Sequence, residues 1–125
     1  MAKNLVIKKP DNLLLTVPSG VQSGDPVMVG RIAGVALTDR DADGNATIRR
    51  KGVFELEVKG VHKIYDAQET EWIDEDIAVN IGDKLYYDAT ATPKINKNDH
   101  DGVFFGYALG AVDEGETNTI QVLLK

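Results

Sequence analysis

The chain has no cysteine, only two histidines and only two serines in 125 residues. Without cysteine there can be no disulfide framework, thiolate nucleophile or Cys-based zinc site. Neither His62 nor His100 has a second histidine at i+2 or i+4 with which to hold a metal. His62 alternates within a strand-like run and His100 sits in the turn-like stretch from Asn96 to Gly102, so each reads as a packed or solvent-facing side chain. Ser19 and Ser23 lie outside any Gly-x-Ser-x-Gly elbow, and no Gly-x-x-x-x-Gly-Lys-Ser/Thr phosphate cradle occurs. No acid, base and nucleophile set remains, so no catalytic residue, metal or cofactor is expected.

Positive charge and long apolar runs are scarce as well. Lys and Arg total 14 against 20 Asp and Glu, a net charge of −6, which disfavours nucleic acid as a partner. The charge-free stretch from Val103 to Val112 falls far short of the ~18 to 20 apolar residues that cross a bilayer. Lys8, Lys9 and Asp11 interrupt the place where a signal peptide would be apolar. The expectation is a soluble protein made in the cytoplasm, with no membrane partner, folded as one domain around one core.

The sequence is rich in strand patterning. From Val53 to Lys59, Phe54, Leu56 and Val58 can face one way while Glu55, Glu57 and Lys59 face the other. The C-terminal run likewise sets Ile120, Val122 and Leu124 against Thr119, Gln121 and Leu123. Further short apolar runs cover Leu5 to Ile7, Leu13 to Val17, Val27 to Val29, Ile32 to Leu37, Val61 to Tyr65, Ile77 to Ile81, Leu85 to Tyr87 and Val103 to Val112. Turn formers separate them, among them Ser23-Gly24-Asp25-Pro26, Asp43-Gly44-Asn45 and Gly82-Asp83. About ten short strands punctuated in this way predict an all-β sandwich or barrel. Only Asp66 to Trp72 has the composition for a helical turn or two.

An internal echo runs through this pattern. Gly24-Asp25-Pro26-Val27-Met28-Val29 resembles Gly82-Asp83-Lys84-Leu85-Tyr86-Tyr87, and Gly34-Val35-Ala36-Leu37 matches Gly106-Tyr107-Ala108-Leu109. From each of those later glycines it is 13 residues to a Thr-Ile pair, Thr47-Ile48 and Thr119-Ile120. The pattern predicts a single β domain over 1–125, a small barrel or sandwich built from two echoed β units at about 20–58 and 78–125. An N-terminal segment, 1–19, precedes them, and insertions fall at about 59–77 and from Asp88 to Gly102. Insertions of this kind are where partner contacts are expected.

Two other patterns carry less. Asp39-x-Asp41-x-Asp43-Gly44 reproduces the start of a calcium loop, but its twelfth position is Arg50, a cation where the bidentate glutamate belongs. It reads as an acidic loop between strands. Lipoyl and biotinyl carrier domains share the small pseudo-twofold barrel, yet no lysine stands at a suitable hairpin tip, since Lys84 belongs to the Gly-Asp turn itself. Tyr86, Tyr87, Phe104, Phe105 and Tyr107, set among Asp83, Asp88, Asp99 and Asp101, read as alternating core and subunit-contact residues rather than a nucleic-acid platform.

The blocks taken in order resemble a known family. Met1-Ala2-Lys3-Asn4, the run from Ser23 to Gly30, Ile32 to Asp39, Gly52 to Leu56, Gly82 to Asp88, Gly106 to Gly110 and Ile120 to Leu124 are similar to the small capsid decoration, or cement, proteins of tailed bacteriophages. Members are sometimes labelled recombinase-like, which the missing phosphate-binding loop argues against. The resemblance implies a noncatalytic, trimeric β domain on the outer surface of the virion that bridges neighbouring major capsid subunits. Its departures lie in Val61 to Asp76 and Thr92 to Asp101. Leu5, Val6 and Ile7 together with Leu13, Leu14 and Leu15 exceed what a half-buried edge strand needs, and Lys3, Lys8 and Lys9 give that end local positive charge. These nine residues are the candidate capsid or subunit contact. The alternative reading is a soluble small-ligand or carbohydrate-binding β domain with Trp72, Tyr86 and Tyr87 as a stacking platform.

Overall fold

The computed structural model describes residues 12–65, 68 and 71–124, and among these every regular element is a strand. In chain order they are β1 (Asn12–Thr16), β2 (Pro26–Val29), β3 (Ile32–Ala36), β4 (Asn45–Arg49), β5 (Gly52–Lys59), β6 (Val61–Tyr65), β7 (Trp72–Asp76), β8 (Lys84–Tyr87), β9 (Ile95–Asn96), β10 (Val103–Ala108) and β11 (Thr117–Leu124). The first four pair as a sheet in the order β1-β4-β3-β2. A second set closes into a barrel, β10-β11-β5-β9-β8, and β6-β7 stand apart as a hairpin.

The expected all-β class is therefore realised, and the long alternating strands build its barrel. β5 and β11 pair along their whole length, from Thr117↔Lys59 to Leu124↔Gly52. This register buries Leu56 and Val58 beside Ile120, Val122 and Leu124 and turns Glu55 and Glu57 outward. Val79, Leu85, Ile95, Phe105 and Val112 fill the rest of the barrel core. Each such fully buried side chain contributes roughly 1.5–3 kcal/mol by leaving water. Val35 of β3 joins this core, whereas its neighbour Ala36 joins a second cluster with Val17, Val27, Ala46 and Ile48. Alternation along one strand thus couples the open sheet to the barrel.

The echoed turns make the same hydrogen bonds. Gly24 N–H donates to Ala36 O at 2.7 Å and Ala36 N–H returns to Asp25 O at 2.9 Å; Gly82 N–H donates to Ala108 O at 2.7 Å and Ala108 N–H returns to Asp83 O at 2.9 Å. The aspartates cap their own turns, Asp25 accepting from Gln22 N–H at 2.9 Å and Asp83 from Asn80 N–H at 2.8 Å. Both turn glycines have positive φ, +91° and +92°, a region that disfavours any residue with a Cβ. The strand order β1-β4-β3-β2 has its counterpart in β5-β11-β10-β8. β5, grouped by the sequence with the earlier turn, pairs with β11 and β9.

The Thr-Ile spacing needs an adjustment. Leu37 N–H bonds to Thr47 O, whereas Leu109 N–H bonds to Gln121 O, so the second loop runs two residues further before its strand pairs. Ala36 lies opposite Ile48, but Ala108 lies opposite Val122 rather than Ile120.

Several elements differ from the pattern reading. Ile77 to Ile81 forms no strand and contributes only the bridge Val79↔Val112. β10 ends at Ala108, short of Val112. β7 lies in an acid-rich run, with Glu71, Asp74, Glu75 and Asp76, that has no strand-like alternation of its own. Cross-strand contacts secure it across the hairpin, a 2.8 Å hydrogen bond between His62 Nε2 and Glu75 and an ion pair of Lys63 Nζ with Asp74 at 3.5 Å. Of the stretch from Asp66 to Trp72, Gln68, Glu71 and Trp72 are described, and they occupy a turn, a bend and a strand start rather than a helix.

Candidate contact surfaces

β1 carries the described part of the predicted contact set. Leu13 and Leu15 are half-buried, opposite Ile48 and Ala46, and Leu15 packs on the second core cluster. Leu14 points the other way and is 65% exposed. Among the described residues only β4 pairs with β1, and no described strand lies along its other edge. The sheet's other edge is β2, four residues long and begun by Pro26, which has no N–H to offer. Lys3, Leu5, Val6, Ile7, Lys8 and Lys9 lie outside the described residues.

A second surface lies on the barrel's outer wall. The register of β10 against β8 shifts between Phe104 and Gly106, which leaves Phe105 buried and Phe104 and Tyr107 outside. The rings sort as the alternating reading expected. Tyr87 and Phe105 face the core, while Tyr86, Phe104 and Tyr107 make edge contacts outside it, at centroid separations of 6.2 and 5.3 Å. Pairing extends this row across the barrel, since Tyr107 lies opposite Leu123 and Leu123 opposite Val53. Val53 is 51% and Phe104 43% exposed. Val53 and Leu123 are contact candidates that sequence reasoning missed, because only register reveals that they adjoin the aromatic rings. Ile81, 71% exposed at the tip of the second Gly-Asp turn, was missed too; its counterpart Ser23 is polar.

The insertions form polar structure. Asp88 is buried and accepts hydrogen bonds from the Thr90 N–H (3.0 Å), the Thr90 hydroxyl (2.7 Å) and the Asn98 amide (3.0 Å). Burial pushes this carboxyl up, but the Thr90 and Asn98 bonds and the nearby Lys63 charge outweigh it and hold it below the ordinary carboxylate range. Asp83 is lowered too, by the Asn80 N–H and by Lys97, whose Nζ stands 2.9 Å away. In the acidic loop, Asp39 accepts from Ser23 N–H at 2.8 Å, and Asp41 accepts from the Asp43 and Asn45 N–H groups at 2.9 Å each. Those carboxylates cap backbone. Among the described residues no group of three or more His, Cys, Asp or Glu is placed to hold a metal ion.

Trp72, Tyr86 and Tyr87 are not assembled into one platform. Trp72 stacks on His100 at 3.7 Å and packs on Tyr65 at 4.2 Å, Tyr86 meets Phe104, and buried Tyr87 stacks with Phe105. No observation then favours the carbohydrate-binding alternative. The β1 edge, along which no further described strand lies, and the apolar barrel wall are surfaces of the kind that meet protein.

A family model described as phage cement protein matches residues 7–124, nearly the whole chain. The chain belongs to the phage cement proteins. Searches of curated proteins and of solved structures each returned no match. Membership assigns this cement protein a structural role at the phage capsid.

Proposed function

We propose that the chain is a noncatalytic protein of the phage head that sits on the outer surface of the assembled capsid and bridges neighbouring major capsid subunits as a homotrimer. The observation that carries this reading is the apolar row Val53, Leu123, Tyr107, Phe104 and Tyr86, continuous across the wall of a barrel whose core is already filled. Exposed apolar surface of this kind marks association sites. A ligand that binds only the expanded shell stabilises it by mass action, and three linked contacts exceed the strength of one. The charge of −6 suits a surface turned away from packaged DNA.

Binding to purified heads tests the proposal. We expect saturable occupancy of expanded heads, little binding to unexpanded ones, and greater resistance of occupied heads to heat. Light scattering of the free protein should give about 41 kDa, three times the chain's 13.6 kDa. Equal binding to both head forms, or none to either, refutes the proposal.

A further inference from the structure

Between the open sheet and the barrel lies a cavity of about 570 Å³, bounded by the 18–26 loop, by Glu55, Leu56 and Glu57 of β5, and by Pro93 and Lys94 before β9. It is a seam in the barrel wall. β9 has two residues and meets β5 at one pair, Val58↔Ile95; towards Glu55 no described strand pairs with that edge. Glu55, Leu56 and Glu57 line it together with Thr119, the β11 partner of Glu57, so the cavity covers β5 from its β11 side across to the edge that no described strand pairs there. An extended peptide laid there would add a strand.

The lining selects what kind of peptide. Asp25, Glu55 and Glu57 place three carboxylates around it against the single ammonium of Lys94, whose Nζ lies 3.2 Å from Ala89 O. Glu55 and Glu57 are exposed and have no ion-pair partner among the described residues. The Tyr87 phenol at the same cavity is pushed up by burial and by the Asp25 charge. Val21, Pro26 and Leu56 supply apolar surface. The required segment is therefore extended and combines cationic with apolar residues.

The chain contains such a segment. From Met1 to Pro10 there are three lysines, Lys3, Lys8 and Lys9, no acid, and Leu5-Val6-Ile7 between them. We infer that the seam receives residues 3–9 of a second copy of the chain as an added strand along β5. The chain's own segment is poorly placed for this. β1 feeds the 18–26 loop from its C-terminal end, so Asn12 lies five residues back, ~17 Å at ~3.4 Å per residue. Folded back along β1, the segment would bring only its first few residues to the seam. Exchange between copies would link them through strand pairing and would use the N-terminal residues predicted for subunit contact. The inference rests on that subunit-contact reading, not on capsid binding.

The absence of cysteine gives a clean test. One full-length preparation carries Val6→Cys and a second, isotopically labelled, carries Ser19→Cys at the cavity rim. After mixing and mild oxidation, mass spectrometry should find the mixed disulfide as the main product. Adding Glu55→Lys and Glu57→Lys to the acceptor should lower its yield at least tenfold, with an unchanged circular dichroism melt showing that the acceptor is folded. Lys3→Glu, Lys8→Glu and Lys9→Glu in the donor should restore it in part. No mixed disulfide, a yield indifferent to the acceptor charges, or linkage confined within single chains of a Val6→Cys/Ser19→Cys double variant overturns the inference. Head binding is scored separately: normal occupancy without the disulfide removes the exchange and leaves the cement role, whereas the disulfide without occupancy does the reverse.

Discussion

Replacing Gly106 by alanine tests whether the echoed glycines are set by close packing of neighbouring strands. A Cβ at position 106 would stand 2.5 Å from Leu123 O and 3.3 Å from Val122 Cγ1. Leu123 lies opposite both Tyr107 and Val53, so its carbonyl cannot retreat without loosening two ladders. Overpacking of a rigid site costs ~1–3 kcal/mol, and a backbone obstacle puts this case near the top, about 3 kcal/mol. At ~4 °C per kcal/mol for a domain of this size, the melting temperature should fall by ~10 °C. Gly34→Ala should lose a similar amount, because its Cβ would collide with the buried Ile48 Cγ2 and stand 2.8 Å from Arg49 O. Gly82 supplies the contrast: nothing lies within 4 Å of its would-be Cβ, and only its φ of +92° opposes alanine, a cost of ~1–2 kcal/mol. Thermal melts followed by circular dichroism, with urea titrations to check that m is unchanged, give the comparison. If Gly106→Ala melts within ~2 °C of the parent, or Gly82→Ala is the worse of the two, the close-approach argument is wrong.

Acid should loosen the 88–102 loop. The folded Asp88 carboxyl lies below its ordinary value of 3.8, so its contribution is full above that value and is lost as pH falls through the lower folded one; Asp88→Asn should flatten this part of a stability-against-pH curve. A double change of Val53 and Phe104 to serine should leave the melting temperature within ~2–4 °C of the parent, since both side chains are exposed, yet reduce occupancy on expanded heads at least tenfold, read by densitometry. Millimolar calcium should not move the melting temperature, because Asp39 and Asp41 already bond to backbone N–H groups; a rise with calcium would show that a cation can claim them.

Much of the fold could be read from local chemistry. The alternation at Phe54, Leu56 and Val58 has period two and reports burial directly, and the Gly-Asp turns combine a positive φ with a self-capping carboxylate, both local requirements. Non-local properties were out of reach. β9 is a strand only because Ile95 and Asn96 lie between β5 and β8, and β7 only because its acids face Lys63 and His62. The two-residue slide at Leu109 depends on where β11 meets β10 after a loop, which composition does not encode. The contact surfaces divide in the same way. The run Leu13-Leu14-Leu15 was legible as a whole, though not that Leu14 is the exposed one, while Val53 and Leu123 become neighbours of Tyr107 only once the barrel closes.

The unlike edges of the first sheet bear on how copies of this protein can assemble. A molecule with two good pairing edges can join head to tail, into a ring where the rotation closes and into a filament where it does not. Here one edge, β1, runs five residues with no described strand beside it and carries Leu14, while the other is four residues long and starts at Pro26. Of the two edges, β2 is the poorer one for pairing, which works against head-to-tail extension through this sheet.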